Sequence, residues 1–203
     1  MEALNVTHFF FDIGGVLIQY DQERFIDELA EKYQVARRRL EPFFTVTMLK
    51  KVETGDISSG DFFHRYLQPV IKISYEEWIE CFVHHYELNE PGMLLLKKLQ
   101  QKGYATYLLS NQAEYNAIAI QKKFQHFYHL CKKNFLSYEM GLFKPDPAIY
   151  LEACKKAGIA PFEACFFDDK EENVQGAIAA GMKGIVYTNQ ISNELLSTID
   201  QIK

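Results

Sequence analysis

Little in this 203-residue chain points to disulfides, a membrane or a polyanionic partner. Its four cysteines, Cys81, Cys131, Cys154 and Cys165, are scattered, with no pair at metal-ligand or redox spacing, which leaves them as reduced, buried thiols. No apolar run exceeds the length of a strand, so a transmembrane helix is excluded and no membrane partner is expected. A basic excess is missing too: the net charge of -5 gives no general attraction to nucleic acid or to an anionic bilayer. There is no internal repeat and no low-complexity segment. The opening residues MEALNVTHF lack the basic start, long apolar stretch and small-residue cleavage site of a signal peptide, so a cytoplasmic location is expected. What remains is globular in character, with 48% hydrophobic and 24% charged residues. The length suits one domain with a generous insertion, or two small ones.

The most informative stretch is His8–Tyr20, HFFFDIGGVLIQY. A short apolar run that meets turn residues reads as a strand buried on both faces, with Asp12 at its C-terminal end. Gly14 and Gly15 then let the backbone turn sharply and approach a ligand closely. On its own, Asp12 reads first as a residue that ends a strand and starts a turn.

From there the period becomes helical. Phe25, Ile26, Leu29, Ala30 and Tyr33 line one face, and Leu40, Phe43, Phe44, Leu49 and Val52 continue to Gly55. Ser58 with Asp61, and more strongly Ser74 with Glu77, read as helix N-terminal caps. The spacing predicts about four helices and no strand between Ile18 and Glu90, that is, a helical cap over 18–90 inserted into a core of 1–17 and 91–203. Beyond Glu90 strands and helices alternate. Tyr104–Leu109, Ala164–Phe167 and Gly184–Tyr187 read as strands, with a further one near Leu130. Helices are expected from Pro91 to Gly103, from Gln112, from Asp146–Pro147 to Gly158, up to Gly181, and over Asn193–Ile199. Such alternation implies an α/β fold: a Rossmann-like, three-layer parallel sheet with right-handed crossovers.

Three of these strands end in polar residues: Asp12, Ser110–Asn111 and Asp168–Asp169. In a parallel sheet their C-terminal ends lie side by side, so the residues converge, and Lys144 in GLFKPDPAIY can reach the same edge. Singly, each has a plain reading: Ser110–Asn111 as a helix cap, Lys144 as a surface lysine, Asp168–Asp169 as acidic residues at a helix start. Together they would place three carboxylates within a few ångströms, which demands a compensating cation. Mg²⁺ suits carboxylates, waters and a substrate phosphate. Lys144 and Ser110 would bind phosphoryl oxygens, leaving Asp12 as a nucleophile towards phosphorus.

The segments FFFDIGGVL, LLSN, GLFKPDPAIY and FFDDKEENVQGA resemble, in order and context, the four motifs of the haloacid dehalogenase-like hydrolase superfamily. The resemblance covers essentially the whole chain. Within the superfamily, the chain is similar to the group of α-glucose-1-phosphate phosphatases and epoxide hydrolase phosphatase-like domains, a similarity to which ETGDIS in the insertion adds. It implies Asp12 as nucleophile and metal ligand, the carbonyl of Gly14 as a second ligand, and Asp169 as acidic ligand with Asp168 beside it. It also implies Ser110, Asn111 and Lys144 as phosphate-binding groups, with Lys144 steadying the nucleophile, and Asn173 as outer support. The activity implied is Mg²⁺-dependent hydrolysis of a small phosphorylated metabolite, with a sugar phosphate as candidate.

One position departs from the pattern. The superfamily's phosphatases usually carry an aspartate two residues after the nucleophile as general acid and base, and here that position is Gly14. Four readings stay open on sequence alone. The substrate can have a leaving group that needs little protonation, such as an anomeric sugar phosphate, or a cap histidine (His64, His84 or His85) can supply the proton. Otherwise the chain attacks carbon, as a haloacid dehalogenase does, or is an impaired phosphate-binding module.

Overall fold

The computed structural model describes residues 6–201. Its centre is a parallel sheet built from β1 (His8–Phe11), β4 (Ala105–Ser110), β5 (Asn134–Leu136), β6 (Ala164–Asp168) and β7 (Lys183–Val186) in the order β5-β4-β1-β6-β7. Two further strands, β2 (Ile18–Gln19) and β3 (Glu87–Leu88), form a separate antiparallel pair. β1 is flanked on both sides, by β4 from His8↔Ala105 and by β6 from His8↔Ala164. This explains its unbroken apolar character, since strands of a covered parallel sheet present apolar side chains to both layers.

Alternation along β1 divides the core. Phe9 and Phe11 face one apolar cluster, shared with Leu95, Leu96 and Leu99 of the helix Glu90–Gln101 and with Ile120 of the helix Glu114–Lys123. Phe10 faces the other, with Ile149 and Tyr150 of the helix Pro147–Ala157 and Ala177 of the helix Glu171–Ala179. Helices therefore cover both faces of the sheet, as the sequence predicts. No helix among the described residues is long and apolar enough to cross a membrane.

Between β2 and β3 the described chain is helical: Gln22–Lys32, two single turns at Arg37–Arg39 and Glu41–Phe43, Val46–Glu53, a continuous run over 59–71, and Tyr75–His85. The Ser74–Glu77 capping box is formed in both directions, and the Ser58 hydroxyl accepts the Asp61 N–H. Trp78, Phe25 and Phe82 pack at the centre, with ring centroids 4.3 Å apart for Phe25–Phe82 and 4.7 Å for Trp78–Phe82. This packing is continuous with the apolar cluster on the Phe9 side of the sheet.

The structure departs from the sequence reading in three places. The strand expected near Leu130 lies at Asn134–Leu136; Leu130 instead follows a single tight turn, Phe127–His129. At three residues on a sheet edge, β5 is too short to display a period. The Ile18–Gln19 and Glu87–Leu88 pair was not expected at all, because its two-residue strands are specified by one another across the fold rather than locally. The last helix begins at Asn189, four residues earlier than expected.

Gly176 shows how tightly the layers meet. An added Cβ there would lie 2.2 Å from the carbonyl oxygen of Pro145, in the loop that carries Lys144. Helix propensity alone would make Gly176→Ala stabilising by up to about 1 kcal/mol. The clash with backbone reverses the sign, and urea denaturation should show a loss of about 1–3 kcal/mol. A variant more stable than wild type would overturn this account of the packing.

Candidate active site

The strand order places the reversal of connection beside β1, and β1 ends at Phe11 with Asp12 immediately beyond it. Ligand sites in open α/β sheets form outside the carboxyl ends of the strands at such a point. Asp12 is buried, and its N–H donates to the Phe167 carbonyl on β6 at 2.9 Å, which fixes it beside Asp168. Asp12, Asp168 and Asp169 each offer a carboxylate oxygen, and these atoms all lie within 4.8 Å of one another. The carboxylates of two separate stretches of sequence thus meet, and from the third stretch the Ser110 hydroxyl reaches Asp12.

Lys144 is only 1% exposed, so it is no surface lysine. Its ammonium has three donors and no acceptor, and three oxygens meet it: Asp168 Oδ2 at 2.6 Å, Asp12 Oδ1 at 3.0 Å and the Leu109 carbonyl at 3.2 Å. Burial alone would push the lysine pKa down, but Asp12 and Asp168 outweigh it and hold the group protonated above its ordinary value. Burial also pushes the Asp12 carboxyl up to about 7, with Lys144 pulling it down, Asp168 raising it further, and the Ser110 hydroxyl donating to it. Asp169, exposed to solvent, is raised as well, by desolvation first and Asp168 second.

The surrounding residues hold this charge cluster in place. Asn173 donates from Nδ2 to both Asp168 oxygens at 3.0 Å, and the Lys170 N–H donates to Asp168 Oδ1 at 2.9 Å. Asn111 does not turn its side chain to the cluster. Its Oδ1 accepts the Lys144 N–H at 2.8 Å and its Nδ2 donates to the Lys144 carbonyl at 3.0 Å, clamping the loop from which the lysine projects. Gly15 has φ +74°, and a Cβ there would come within 2.4 Å of Asp169 Oδ2, so only glycine leaves the carboxylate its place. Gly14 differs: nothing lies within 4 Å of where its Cβ would be, and packing does not forbid a side chain. Among the described residues, no hydrogen bond ends on the Gly14 carbonyl.

The three histidines raised as proton donors keep other company. His64 pairs with Gln68 at 3.0 Å on the surface, and His85 Nε2 meets Glu28 Oε2 at 2.9 Å. His84 faces a cavity of about 390 Å³ bounded by Tyr20, Arg24 and Glu28. One residue to which the sequence reading gave no catalytic role does approach the site. Glu53, at the end of the helix Val46–Glu53, interacts electrostatically with both Lys144 and Lys170. It opens the ETGDIS segment noted above, but nothing in that segment says that its side chain serves the site.

An oxygen-only donor set with excess negative charge is what a hard divalent cation such as Mg²⁺ takes. The arrangement can therefore hold a cation next to a buried carboxylate whose other neighbour is a fixed ammonium. That pairing of positive groups around one nucleophilic oxygen serves attack on an anionic electrophile.

Comparison with known proteins agrees with the geometry. The haloacid dehalogenase-like hydrolase family matches residues 6–181. The chain is 26% identical over 179 residues to a D-ribitol-5-phosphate phosphatase of Bacteroides thetaiotaomicron, covering 83% of this chain and 85% of that protein. It is 25% identical over 190 residues to a sesquiterpene phosphatase of Aspergillus oryzae, covering 90% of each. Among solved structures, a HAD family enzyme from Bacteroides thetaiotaomicron in complex with magnesium and inorganic phosphate superposes with a TM-score of 0.76 at 26% identity, over 91% of this chain and 95% of that one. With the match spanning four of the five sheet strands, the carboxylate cluster and the buried lysine, the chain belongs to the haloacid dehalogenase-like hydrolase family and is an enzyme of the hydrolase class.

Proposed function

We propose that the protein hydrolyses the phosphomonoester of a small metabolite, carrying the phosphoryl group on Asp12, with Mg²⁺ as cofactor. The observation behind this reading is the meeting of three carboxylates within 4.8 Å around a single buried ammonium that touches two of them. One lysine offsets one of the three charges, and a divalent cation offsets the remainder. Asp12 and Asp169 with the Gly14 carbonyl would hold the ion, and Asp168 would join them directly or through water. When bound, the ion neutralises phosphoryl oxygens and lowers the carboxyl pKa of its ligands.

The chain's own residues then divide the work. The Asp12 carboxylate oxygen attacks phosphorus, the bond to the leaving oxygen breaks, and water later releases phosphate from the aspartyl-phosphate. Lys144 fixes the Asp12 oxygen and screens its approach to an anion. The Ser110 hydroxyl and the Asn111 backbone N–H bind the remaining phosphoryl oxygens, since the Gln112 and Ala113 N–H groups donate to Ser137 Oγ and Asn116 Oδ1. Asn111 contributes through its backbone, since its side chain is committed to the Lys144 loop. A route through attack on carbon needs no cation and gives a third carboxylate nothing to do.

Residues 18–90 act in this reading as a lid hinged at Leu17–Tyr20 and Asn89–Gly92. The two crossings are tied together by the β2–β3 pair and by Asn89, which donates from its N–H to the Leu17 carbonyl and from Nδ2 to the Val16 carbonyl, each at 2.9 Å. Such tying supports movement of the segment as a unit. A sugar or polyol phosphate is the substrate class, supported by the ribitol-phosphate phosphatase among the relatives.

Two outcomes are expected. Asp12→Asn should lower turnover of phosphate esters by at least about 10³-fold, and chelation of Mg²⁺ with EDTA should do the same reversibly. Turnover of esters that survives both treatments, or halide release from a haloacid without divalent metal, would overturn the reading. Lys144→Met leaves Asp12 and Asp168 facing each other without their cation, so the unfolding free energy without Mg²⁺ should fall by about 3–5 kcal/mol. Asp12 titrates at about 7 even with Lys144 present, and loss of the ammonium raises it further. The deficit relative to wild type should therefore grow as pH rises through about 7, where the wild-type carboxyl ionises and the variant's stays protonated. Urea denaturation at about pH 6 and about pH 8.5 checks this, and a deficit independent of pH would refute the charge account.

A further inference from the structure

The site as described lacks a group to protonate the leaving oxygen. Position 14 carries no side chain, and none of the three histidines has a partner in the carboxylate cluster. Glu53 is the acidic residue of the helical segment that the fold directs to this edge of the sheet. The Ser137 hydroxyl, immediately beyond β5, donates to the Glu53 backbone carbonyl. Two residues on, Gly55 has φ +77°, and a Cβ there would lie 2.8 Å from the Tyr138 carbonyl oxygen, so the turn after Glu53 is seated on the core backbone. The end of the Val46–Glu53 helix is thereby pinned to the carboxyl-end edge of the sheet, where Asp12, Ser110 and Lys144 also lie.

The carboxyl group itself is partly buried, and no described residue donates a hydrogen bond to it. It interacts electrostatically with Lys144 and Lys170 from the core and with Tyr20, Tyr86 and Tyr115. Lys144 is in turn 3.0 Å from Asp12 Oδ1. The carboxyl is thus carried by the inserted helical segment rather than by the sheet, at the edge to which Ser137 pins that segment and within electrostatic reach of the lysine that the nucleophile touches. In an in-line displacement the leaving oxygen emerges on the side away from the nucleophile, where a group from a second segment can meet it.

Resting on the phosphatase reading above, we propose that Glu53 is the proton donor to the leaving group, supplied by the helical segment in place of the side chain absent at position 14. As the Asp12 oxygen bonds to phosphorus, the bond from phosphorus to the ester oxygen breaks, and that oxygen takes the proton of the Glu53 carboxyl. Glu53 is left as carboxylate and the product leaves as an alcohol. In the second half, Glu53 takes a proton from the water that attacks the aspartyl-phosphate, phosphate departs, and both carboxyl groups return to their starting states. Desolvation raises the Glu53 pKa against the pull of Lys170 and Lys144, which favours the protonated form such a donor needs.

The test compares kcat/KM, which ends at formation of the aspartyl-phosphate and is blind to its hydrolysis. Wild type, Glu53→Gln and Glu53→Ala are assayed with Mg²⁺ on p-nitrophenyl phosphate, propyl phosphate and glycerol phosphate, and their thermal unfolding is recorded alongside. The aryl leaving group needs no proton, whereas both alkoxides do. Both variants should lose about 10²-fold or more on the two alkyl esters, and less than about 5-fold on the aryl ester. An equal loss on all three esters would make Glu53 a structural or closing contact and overturn the proposal. So would a loss confined to glycerol phosphate, which would make it a reader of substrate hydroxyls, and so would no loss at all. A wild-type protein that turns over none of the three esters overturns the phosphatase reading itself, and the assignment of Glu53 with it.

Discussion

The Lys144 ammonium between Asp12 and Asp168 is the contact on which the rest of the site depends. A buried lysine is costly unless every donor is met by an acceptor, and a pair of buried carboxylates is costly without a cation between them. Each solves the other's problem here, and the Leu109 carbonyl takes the remaining donor. The arrangement tolerates little error, because a displaced ammonium leaves three charges exposed to one another in a poor solvent for charge. The neighbouring structure is accordingly rigid. Asn111 grips the lysine's own backbone on both sides, Asn173 grips Asp168, and the Gly176 turn of its helix lies directly against the loop at Pro145.

Those supports come from different layers of the fold, and this is what the parallel sheet provides. β1 presents Asp12, β4 presents Ser110 and the clamp Asn111, and β6 presents Asp168, all at one edge because the strands run the same way and are in register. The helix Glu171–Ala179 follows β6 and returns Asn173 to the residue that ends the strand. A site whose members lie up to 157 positions apart in the chain, Asp12 and Asp169, is thus held by three short strands whose positions are fixed by backbone hydrogen bonds and by aromatic packing on both faces.

How much of this was legible in the sequence depended on whether the information was local. A buried strand writes its identity in an unbroken apolar run, and the polar residue that ends it stands out; FFFD, YLLSN and CFFDD were readable for that reason. The lysine was readable only through its companions, since nothing in FKPDP says that Lys144 is buried. Pairings made across the fold left no local trace. The β2–β3 ribbon consists of two-residue strands, and Asn111 looks like a cap residue while its side chain in fact serves a loop 33 positions away. Glu53 was visible only as the first residue of the ETGDIS segment: a glutamate beside lysines at a helix end has the sequence signature of a solvated face, and the seating of Gly55 on Tyr138 is what places that helix end at the sheet edge.

The division of parts between the two segments has a mechanistic consequence. In the proposed reaction the sheet edge holds the groups that stabilise charge on phosphorus, while the helical segment holds the carboxyl proposed to deliver the proton. Nucleophile and acid then sit on different segments, joined where the Ser137 hydroxyl and the Tyr138 backbone seat the end of the Val46–Glu53 helix. Gly14 fits that logic, because the space beside it could take a side chain without a clash and yet is left empty. Placing the acid on the lid links leaving-group departure to enclosure of the substrate, so a phosphate ester that cannot seat the lid meets a nucleophile without its proton donor. On this reading, selection among esters operates in the chemical step itself, through what the substrate lets the lid do, as well as in binding.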